Sequence, residues 1–249
     1  MQIIDITFDL ETCDVSPSAA PLQLAAIAWD RTTRKPISID APTDPFLRDK
    51  EDHELCIFNE RVDLACAVMD GFTFNQDTID FWARQKPEVQ AVVVNGDRPK
   101  LSPQMLYESF FKWIENLKEM FEADHLVLWC QGQDFDIPMM KYAAMKFGLK
   151  IPVNQYSYRD ARTIAFEMAS TNADRIDEVF SQPKTAPYEF LPPIPENLMG
   201  YSHDAVFDCI RTAWSTWNFL MEFSSYKSSF ILQQVRQGNF LNREIKKAL

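Results

Sequence analysis

Apolar and polar side chains alternate along Ile3–Thr12. Positions 4, 6 and 8 are apolar, positions 5, 7 and 9 are polar, and β-branched residues dominate the first half of the stretch. This period of two predicts a half-buried, central strand. Side chains two residues apart project from the same face of a strand, about 6.6 Å apart along it. We therefore expect the carboxyl groups of Asp9 and Glu11 to lie side by side.

The same pattern predicts further strands. Residues 22–29 form an apolar run, and a short alternation covers residues 36–40. Together with the first strand they predict a three-stranded meander, whereas the polar, proline-containing residues 42–59 predict a loop with at most one helical turn. Residues 125–130 are a compact apolar run and predict a buried fourth strand.

Apolar residues at helical spacing predict helices in most of the remaining chain. These cover residues 73–85, 87–94, 102–121, 137–147, 160–168 and 204–223. Thr78 or Asp77 is the expected N-cap of the first helix, and Ser102 is that of the third. Ile79 and Trp82 are expected to face the core.

The order of these elements indicates the fold class. Strands at the N-terminus are followed by helices that alternate with a further strand, which predicts an α/β fold with a mixed sheet. Residues 181–200 contain five prolines and predict a long loop before the last helix.

Composition indicates the class of protein and the compartment in which it is expected. The chain has 249 residues, is 46% apolar and contains 19 Phe and 6 Trp, which is typical of a globular protein with a substantial core. No apolar run reaches the length of a membrane span, and the N-terminus lacks a signal-peptide pattern. The five cysteines are scattered without C-x-x-C spacing, so neither a disulfide framework nor a zinc site is predicted. We expect a cytoplasmic protein without a membrane partner.

The net charge of −11 disfavours a high-affinity nucleic-acid scaffold, because lysine and arginine drive phosphate binding. The negative charge does not exclude a nuclease, because such an enzyme can hold the phosphate through divalent cations bound to its own carboxylates. Residues 224–249 differ in charge, since basic side chains dominate there. We therefore expect a domain over residues 1–223 and a basic C-terminal extension over 224–249.

The neighbouring carboxylates of Asp9 and Glu11 indicate a metal site. Two carboxylates repel, and partial burial at a strand end raises their pKa values unless a cation lies between them. A divalent metal ion resolves both problems. D-x-E is also common by chance on solvated strand ends, so other carboxylates must converge on the pair.

A second acidic motif follows the fourth predicted strand. Trp129–Met140 reads W-C-Q-G-Q-D-F-D-I-P-M-M, so a Gly turn delivers Asp134 and Asp136 to the start of a helix. Ligands of open α/β sheets bind at such strand-to-helix junctions. The alternative is that one of these aspartates only caps the helix.

A third motif lies where the last helix begins. Tyr201–Asp208 reads Y-S-H-D-A-V-F-D, with His203 just before the helix and Asp208 in its first turns. A neutral imidazole can accept a proton from water near pH 7. Alternatively, Asp208 and Arg211 belong only to the solvated face of this helix.

In this order, the three motifs resemble the DEDD exonuclease superfamily in its histidine-bearing DEDDh branch. The tyrosine-bearing branch has Tyr four residues before its last metal aspartate, where this chain has Asp204. Four segments are also similar to the phage exodeoxyribonuclease A (DexA) group: T-I-D-F-W at 78–82, W-C-x-G-x-x-F-D-x-P at 129–138, R-D-A-R-T at 159–163 and H-D-x-x-x-D-C at 203–209. The similarity spans about residues 1–220.

The resemblance implies an RNase H-like fold, a mixed central sheet flanked by helices. It implies a phage protein in the cytoplasm of an infected bacterium that removes mononucleotides from the 3′ end of single-stranded DNA. The implied ligands of two Mg²⁺ or Mn²⁺ ions are Asp9, Glu11, Asp136 and Asp208, and His203 is the implied general base. Hard cations prefer such oxygen ligands.

Substrate contacts are predicted at three further residues. The resemblance places Thr12 beside the terminal sugar. Trp82 can stack on a base, although an aromatic residue at helical spacing is also typical of a core. Arg162 is a candidate phosphate contact or a member of an ordinary ion pair, and the basic extension is a strand contact or a solvated helix.

Two other function classes stay open. One is the same chemistry on RNA or short oligonucleotides, because no residue in the sequence identifies a 2′-hydroxyl contact. The other is a non-catalytic nucleic-acid-binding or interaction protein on the same fold. Such proteins usually lack one or more of the carboxylates, and this chain keeps all four.

Overall fold

The computed structural model describes residues 2–31, 56–95, 100–171, 174–189, 191–194, 196 and 199–236, with side chains as far as residue 222 in the last helix. The strand predicted at residues 36–40 and the end of the basic extension at residues 237–249 lie outside this part of the chain.

A five-stranded mixed sheet forms the centre of the fold. Its strands are β1 (Ile3–Thr12), β2 (Pro21–Trp29), β3 (Ile57–Arg61), β4 (His125–Cys130) and β5 (Tyr158–Asp160). The order across the sheet is β3-β2-β1-β4-β5. β1 pairs with β2, and β2 with β3, in antiparallel fashion, whereas the β1–β4 and β4–β5 pairs are parallel. The predicted mixed sheet with β1 at its centre is confirmed.

The loop predicted over residues 42–59 was wrong at its end, because β3 begins at Ile57. Its sequence, I-F-N-E-R, is short and half polar, so the alternation is too weak to identify a strand. Pairing with β2 stabilises it, with Phe58 opposite Ala26. The Phe58 ring lies 5.3 Å from that of Phe110, measured between centroids, which ties the strand to the core.

The described helices are α1 (Leu64–Met69), α2 (Gln76–Ala83), α3 (Pro87–Val93), α4 (Pro103–Met120), α5 (Asp136–Phe147), α6 (Ala161–Ser170), α7 (Ile176–Ser181) and α8 (Ala205–Arg236). Short 3-10 turns occur at Gln155–Ser157 and Ala186–Tyr188. The six predicted helices are confirmed apart from their ends, whereas α1, α7, the turns and β5 were not predicted. α8 runs without a break through residue 223, and the division at that residue stays a prediction.

The helix ends follow local capping chemistry. Ser102 caps α4 as expected, because its hydroxyl accepts a hydrogen bond from the Met105 N–H. The cap of α2 is Asn75, whose side chain accepts from the Asp77 N–H, so the expected caps within the helix were wrong. Ile79 was also misplaced, since it is 41% exposed.

Helices cover both faces of β1. Its even-numbered face is apolar and packs against α4 and α5, and the Phe8 and Phe110 ring centroids lie 5.8 Å apart. The opposite face carries Asp5 and Thr7, which are also buried, whereas the sequence predicted a half-buried strand. The core residues of β2 and β4 on that face pack against α8.

Hydrogen bonds satisfy the buried polar groups of β1. The indole N–H of Trp29 donates to Thr7 Oγ1 at 2.9 Å, and that of Trp129 donates to Asp5 Oδ1 at 2.7 Å. Arg31 forms an ion pair with Asp5. No helix in the described part of the chain is both long and apolar enough to cross a membrane.

Candidate active site

The last residues of β1 bring the first two acidic groups to the site. Asp9 and Glu11 continue the face that carries Asp5 and Thr7, because side chains alternate along a strand. The pairing of β1 with β2 shifts register between Glu11 and Thr12. Such bulges re-aim side chains at functional edges of sheets.

The turn after β4 brings Asp136 to β1. Asp136 is the first residue of α5 and is 2% exposed. Its Oδ1 accepts a hydrogen bond from the Leu10 N–H at 3.2 Å. Asp134 is exposed, and no side chain caps α5. Of the two aspartates that the sequence left open, Asp136 therefore joins the acidic face of β1.

Gly132 allows Arg162 to approach this turn. Gly132 has φ 105°, and a Cβ atom there would lie 2.9 Å from Arg162 Nη2. Arg162 Nη2 donates to the Gln131 carbonyl at 3.1 Å, and the Gly132 N–H donates to Asp160 Oδ1 at 3.0 Å. The Arg162 charge lowers the pKa of Asp136, against the larger effect of burial. The predicted phosphate contact thus lies at the edge of the acidic cluster.

The N-terminus of α8 supplies His203 and Asp208. The His203 N–H donates to Asp208 Oδ2 at 3.0 Å, and Asp204 Oδ1 accepts from the Val206 N–H at 3.2 Å in the manner of an N-cap. His203 has φ 67°, a backbone region that few non-glycine residues adopt. Its exposed ring lies 5.0 Å from that of Phe81, edge to face.

Gln23 of β2 joins the two halves of the site and was not predicted. It is opposite Glu11 in the sheet and is fully buried. Its Nε2 donates to Asp204 Oδ1 at 3.1 Å, and its Oε1 accepts from the Ala205 N–H at 3.2 Å. Gln23 therefore holds the start of α8 against β2. The available signal was a polar residue inside an otherwise apolar strand.

Three of the predicted residues form a compact potential metal site. One ligand atom each from Glu11, His203 and Asp208 lies within 4.8 Å of the others. In the part of the chain that the structure describes, Asp9 and Asp136 fall outside this limit. Both still interact electrostatically with the cluster, since Asp208 raises the pKa of Asp9 and Asp136 raises that of Glu11.

Burial raises the pKa values of all four carboxyl groups, and repulsion from neighbouring carboxylates raises them further. Burial, followed by the charge of Asp208, raises the pKa of Asp9 to about 7. Burial and then Asp9 raise the pKa of Glu11 well above its usual range. Burial and then Asp9 do the same for Asp136, and burial raises the pKa of Asp208.

This donor set suits hard divalent cations. Burial makes the repulsion between carboxylates costly, and a bound cation offsets that cost. Carboxylate oxygens and an imidazole are ligands that Mg²⁺ and Mn²⁺ accept, and no cysteine thiol belongs to the cluster in the described residues. The residues present therefore fit the predicted cations.

Arg211 is a cation beside the cluster. From the sequence, it could have belonged only to the solvated face of α8. Its Nη2 lies 3.1 Å from Asp208 Oδ1 and 3.4 Å from Gln131 Oε1. Its charge lowers the pKa values of Asp9 and Asp208, in each case against the larger effect of burial. The spacing of three residues from Asp208, which puts both on one helix face, was the signal.

Two predicted substrate residues are largely buried beside the cluster. Thr12 is 5% exposed, and its hydroxyl donates to the Asp14 carbonyl at 2.6 Å. Trp82 is 6% exposed, and its indole N–H donates to the Thr12 carbonyl at 2.8 Å. These contacts favour the core role of Trp82 that the sequence left open beside base stacking.

The sheet order and the helices on both of its faces define an RNase H-like fold of the kind found in DEDDh exonucleases. A family model described as a 3′-5′ exoribonuclease Rv2179c-like domain matches residues 5–218. The chain belongs to this family. Its more particular similarity to the phage DexA group stays a prediction.

Solved structures with this fold share little sequence with the chain. The nuclease domain of 3′hExo, described as a DEDDh family member bound to rAMP, is 16% identical, with a TM-score of 0.53 over 88% of this chain and 92% of that one. Cell-death related nuclease 4 is 16% identical, with a TM-score of 0.49 over 88% of this chain and 64% of that one. An E. coli ExoI–ssDNA complex is 12% identical, with a TM-score of 0.49, and the match covers 94% of this chain and 43% of that one. No curated protein matches the sequence.

Proposed function

We propose that this protein is a metal-dependent 3′–5′ exonuclease that releases nucleoside monophosphates from single-stranded nucleic acid. The observation that carries the proposal is the meeting of four carboxyl groups with raised pKa values and one imidazole at the end of β1. Asp136 and Asp208 are buried, and Asp9 and Glu11 are partly buried. A role confined to binding or scaffolding does not require these groups together.

The carboxylates would hold two cations, Mg²⁺ or Mn²⁺. Asp9, Glu11 and Asp208 are the proposed ligands of one, and Asp9 and Asp136 those of the other. When bound, such ions activate water and stabilise the leaving 3′ oxygen. Asp136 is held in place by the Leu10 N–H, and Asp208 by the His203 N–H.

His203 is the proposed general base. Its ring is exposed and lies among the ligand atoms of Glu11 and Asp208, so one ring nitrogen can accept the proton of the attacking water. The edge-to-face contact with Phe81 limits how the ring turns. Thr12 and Arg162 are the proposed contacts to the terminal sugar and to phosphate, and Trp82 acts by supporting the backbone of Thr12.

Two kinds of nucleic acid, DNA and RNA, are candidate substrates. The resemblance to the phage DexA group favours DNA, and with it a phage protein in the cytoplasm of a bacterial host. The family description favours RNA, since it names an exoribonuclease. RNA is therefore the second candidate for the same site.

The test is to incubate 5′-labelled single-stranded DNA, single-stranded RNA and duplex DNA with the protein and Mg²⁺ or Mn²⁺. We expect ladders that shorten one nucleotide at a time from the 3′ end of a single strand, and no products in EDTA. Asp136→Asn should abolish the ladder, whereas Asp134→Asn, at an exposed position two residues earlier, should leave it unchanged. Equal activity of the two variants would contradict the proposed site.

A further inference from the structure

A cavity of about 470 Å³ lies between α8 and the proline-rich segment that precedes it. Its wall includes Gln131, Lys184, Tyr188, Pro192, Arg211 and Trp214. The volume falls within the range of roughly 300–1,000 Å³ found for small-molecule and cofactor pockets. The predicted substrate residues Thr12, Trp82 and Arg162 do not line it.

Hydrogen bonds across the cavity wall hold its shape. Gln131 Nε2 donates to the Tyr188 hydroxyl at 3.2 Å, and the Trp214 indole N–H donates to the Pro192 carbonyl at 3.1 Å. The Tyr188 ring also packs edge to face on Phe219, with 6.3 Å between centroids. The cavity is therefore formed before any ligand arrives.

Arg211 connects the cavity to the candidate active site. It lines the cavity, while its Nη2 lies 3.1 Å from Asp208 Oδ1. The same nitrogen donates to Gln131 Oε1 at 3.4 Å. Arg211 therefore lies between the acidic cluster and the cavity.

The charges of the wall suit a phosphodiester. Lys184 and Arg211, of which Arg211 is also paired with Asp208, supply two cations in a protein with a net charge of −11. The carboxylate of Glu189, which also lines the cavity, is paired with Arg175 at 3.1 Å. The remaining wall is largely apolar, with prolines and two aromatic side chains, which suits a nucleobase.

We propose that this cavity binds the part of the nucleic-acid strand on the 5′ side of the scissile phosphate. Arg211 and Lys184 contact its phosphates, and the apolar wall contacts a base. This assignment rests on the proposed exonuclease function. It adds a second binding region, separate from the residues predicted to hold the terminal nucleotide.

The test compares substrates with and without an upstream strand. The p-nitrophenyl esters of thymidine and uridine 5′-monophosphate carry a terminal nucleoside and a cleavable phosphodiester but no upstream nucleotide. Their partners are oligothymidylate and oligouridylate of about twelve nucleotides, long enough to occupy a binding groove. The measured quantity is the kcat/KM of the oligonucleotide divided by that of the matching ester.

Lys184→Glu should lower this ratio by about tenfold or more, because it reverses a charge that faces phosphate. Lys184→Arg keeps the charge and should keep the ratio. Lys112→Glu is the matched control, since Lys112 is exposed on α4, against the opposite face of the sheet. Thermal unfolding of each variant shows that it is folded.

The outcomes separate the two proposals. If the wild-type protein cleaves neither kind of substrate, the proposed function is overturned, and this assignment with it. If it cleaves both and Lys184→Glu leaves the ratio unchanged, or lowers it no more than Lys112→Glu does, the cavity assignment alone is overturned.

Discussion

Individual carboxyl groups at the end of β1 destabilise the metal-free protein. The folded state raises the pKa of Asp9 from 3.8 to about 7, so it binds a proton more tightly than the unfolded chain does. The stability gained from this proton is complete below the unfolded pKa and is lost as pH rises through the folded value. Near neutral pH, without a bound cation, the ionised carboxylates therefore lower the stability of the folded protein.

Replacing Asp9 with Asn should reduce this pH dependence. In EDTA, we expect the melting temperature of the wild-type protein to fall more steeply between about pH 5 and pH 8 than that of Asp9→Asn, because only the wild type has to ionise this group. Mg²⁺ should raise the melting temperature of the wild type most at the upper end of that range. Parallel melting curves for the two proteins across this range would count against a destabilising Asp9 carboxylate.

His203 is the second residue whose role can be separated from the fold. His203→Ala should lower kcat by about 10²- to 10⁴-fold, the usual contribution of a general base. Mn²⁺ binding, measured by calorimetry, should persist, because the carboxylates remain. His125→Ala at the exposed start of β4 is the matched control, and a similar loss in both variants would place the base elsewhere.

The sequence predicted Asp9, Glu11, Asp136, His203 and Asp208 as candidate site residues, and it did not predict Gln23 and Arg211, which contact the candidate site. Asp9, Glu11, Asp136, His203 and Asp208 stand in recognisable motifs. Gln23 and Arg211 stand in no motif and are recognised only by their contacts. Gln23 contacts residues about 180 positions away in the sequence. Arg211 contacts Asp208 on a helix face that the sequence also allowed to be only solvated. A single sequence contains no direct signal for such pairings.

At the scale of elements, the attachment of α8 to β2 positions His203 and Asp208 of the candidate site. Gln23 bonds both to Asp204 and to the Ala205 N–H at the helix start. His203 and Asp208 flank that point. The orientation of these two groups therefore depends on a buried amide of the neighbouring strand.

Gln23→Leu should lower both stability and turnover. It removes the partner of the Ala205 N–H, a loss of about 1–3 kcal/mol for a buried group left without a hydrogen bond. We expect kcat to fall while the folded protein persists. Gln90→Leu is the control, since the Gln90 amide donates to three carbonyls around the end of α2. It should lower the unfolding free energy without changing kcat, and unchanged kcat in Gln23→Leu would contradict the positioning role.

Elements with strong periodicity were predictable, and short ones were not. β1, β4, α4 and α5 have clear apolar patterns and lie where the sequence placed them, within a few residues. β3 and β5 are short and partly polar, so their pairing depends on neighbours that the local sequence does not reveal. The six-residue helices α1 and α7 were missed for the same reason.

At the scale of the whole molecule, helices on both sides of the sheet bury most of β1, including Asp5 and Thr7 on its polar face. Asp5 is fully buried, and Trp129 and Arg31 supply its hydrogen bonds. Arg31 also lies over the Trp129 ring at 5.9 Å. This network joins β1, the end of β2 and β4 behind the site.

Arg31→Ala should destabilise the protein by about 3 kcal/mol, because it leaves a buried carboxylate without its cation. Urea unfolding measures this loss, and the activity per folded molecule should not change. Arg159→Ala is the control, since the exposed Arg159 donates to the carbonyls of Tyr156 and Tyr158, and it should be nearly neutral. Equal stability of the two variants would show that the Asp5 network contributes little.

The most direct test of the central claim is anomalous diffraction from crystals of the wild-type protein soaked in Mn²⁺. We predict two peaks, one among Asp9, Glu11 and Asp208 and one beside Asp9 and Asp136. The second peak should disappear in Asp136→Asn and persist in Asp134→Asn. Well-ordered crystals with no Mn²⁺ peak at the end of β1 would contradict the account.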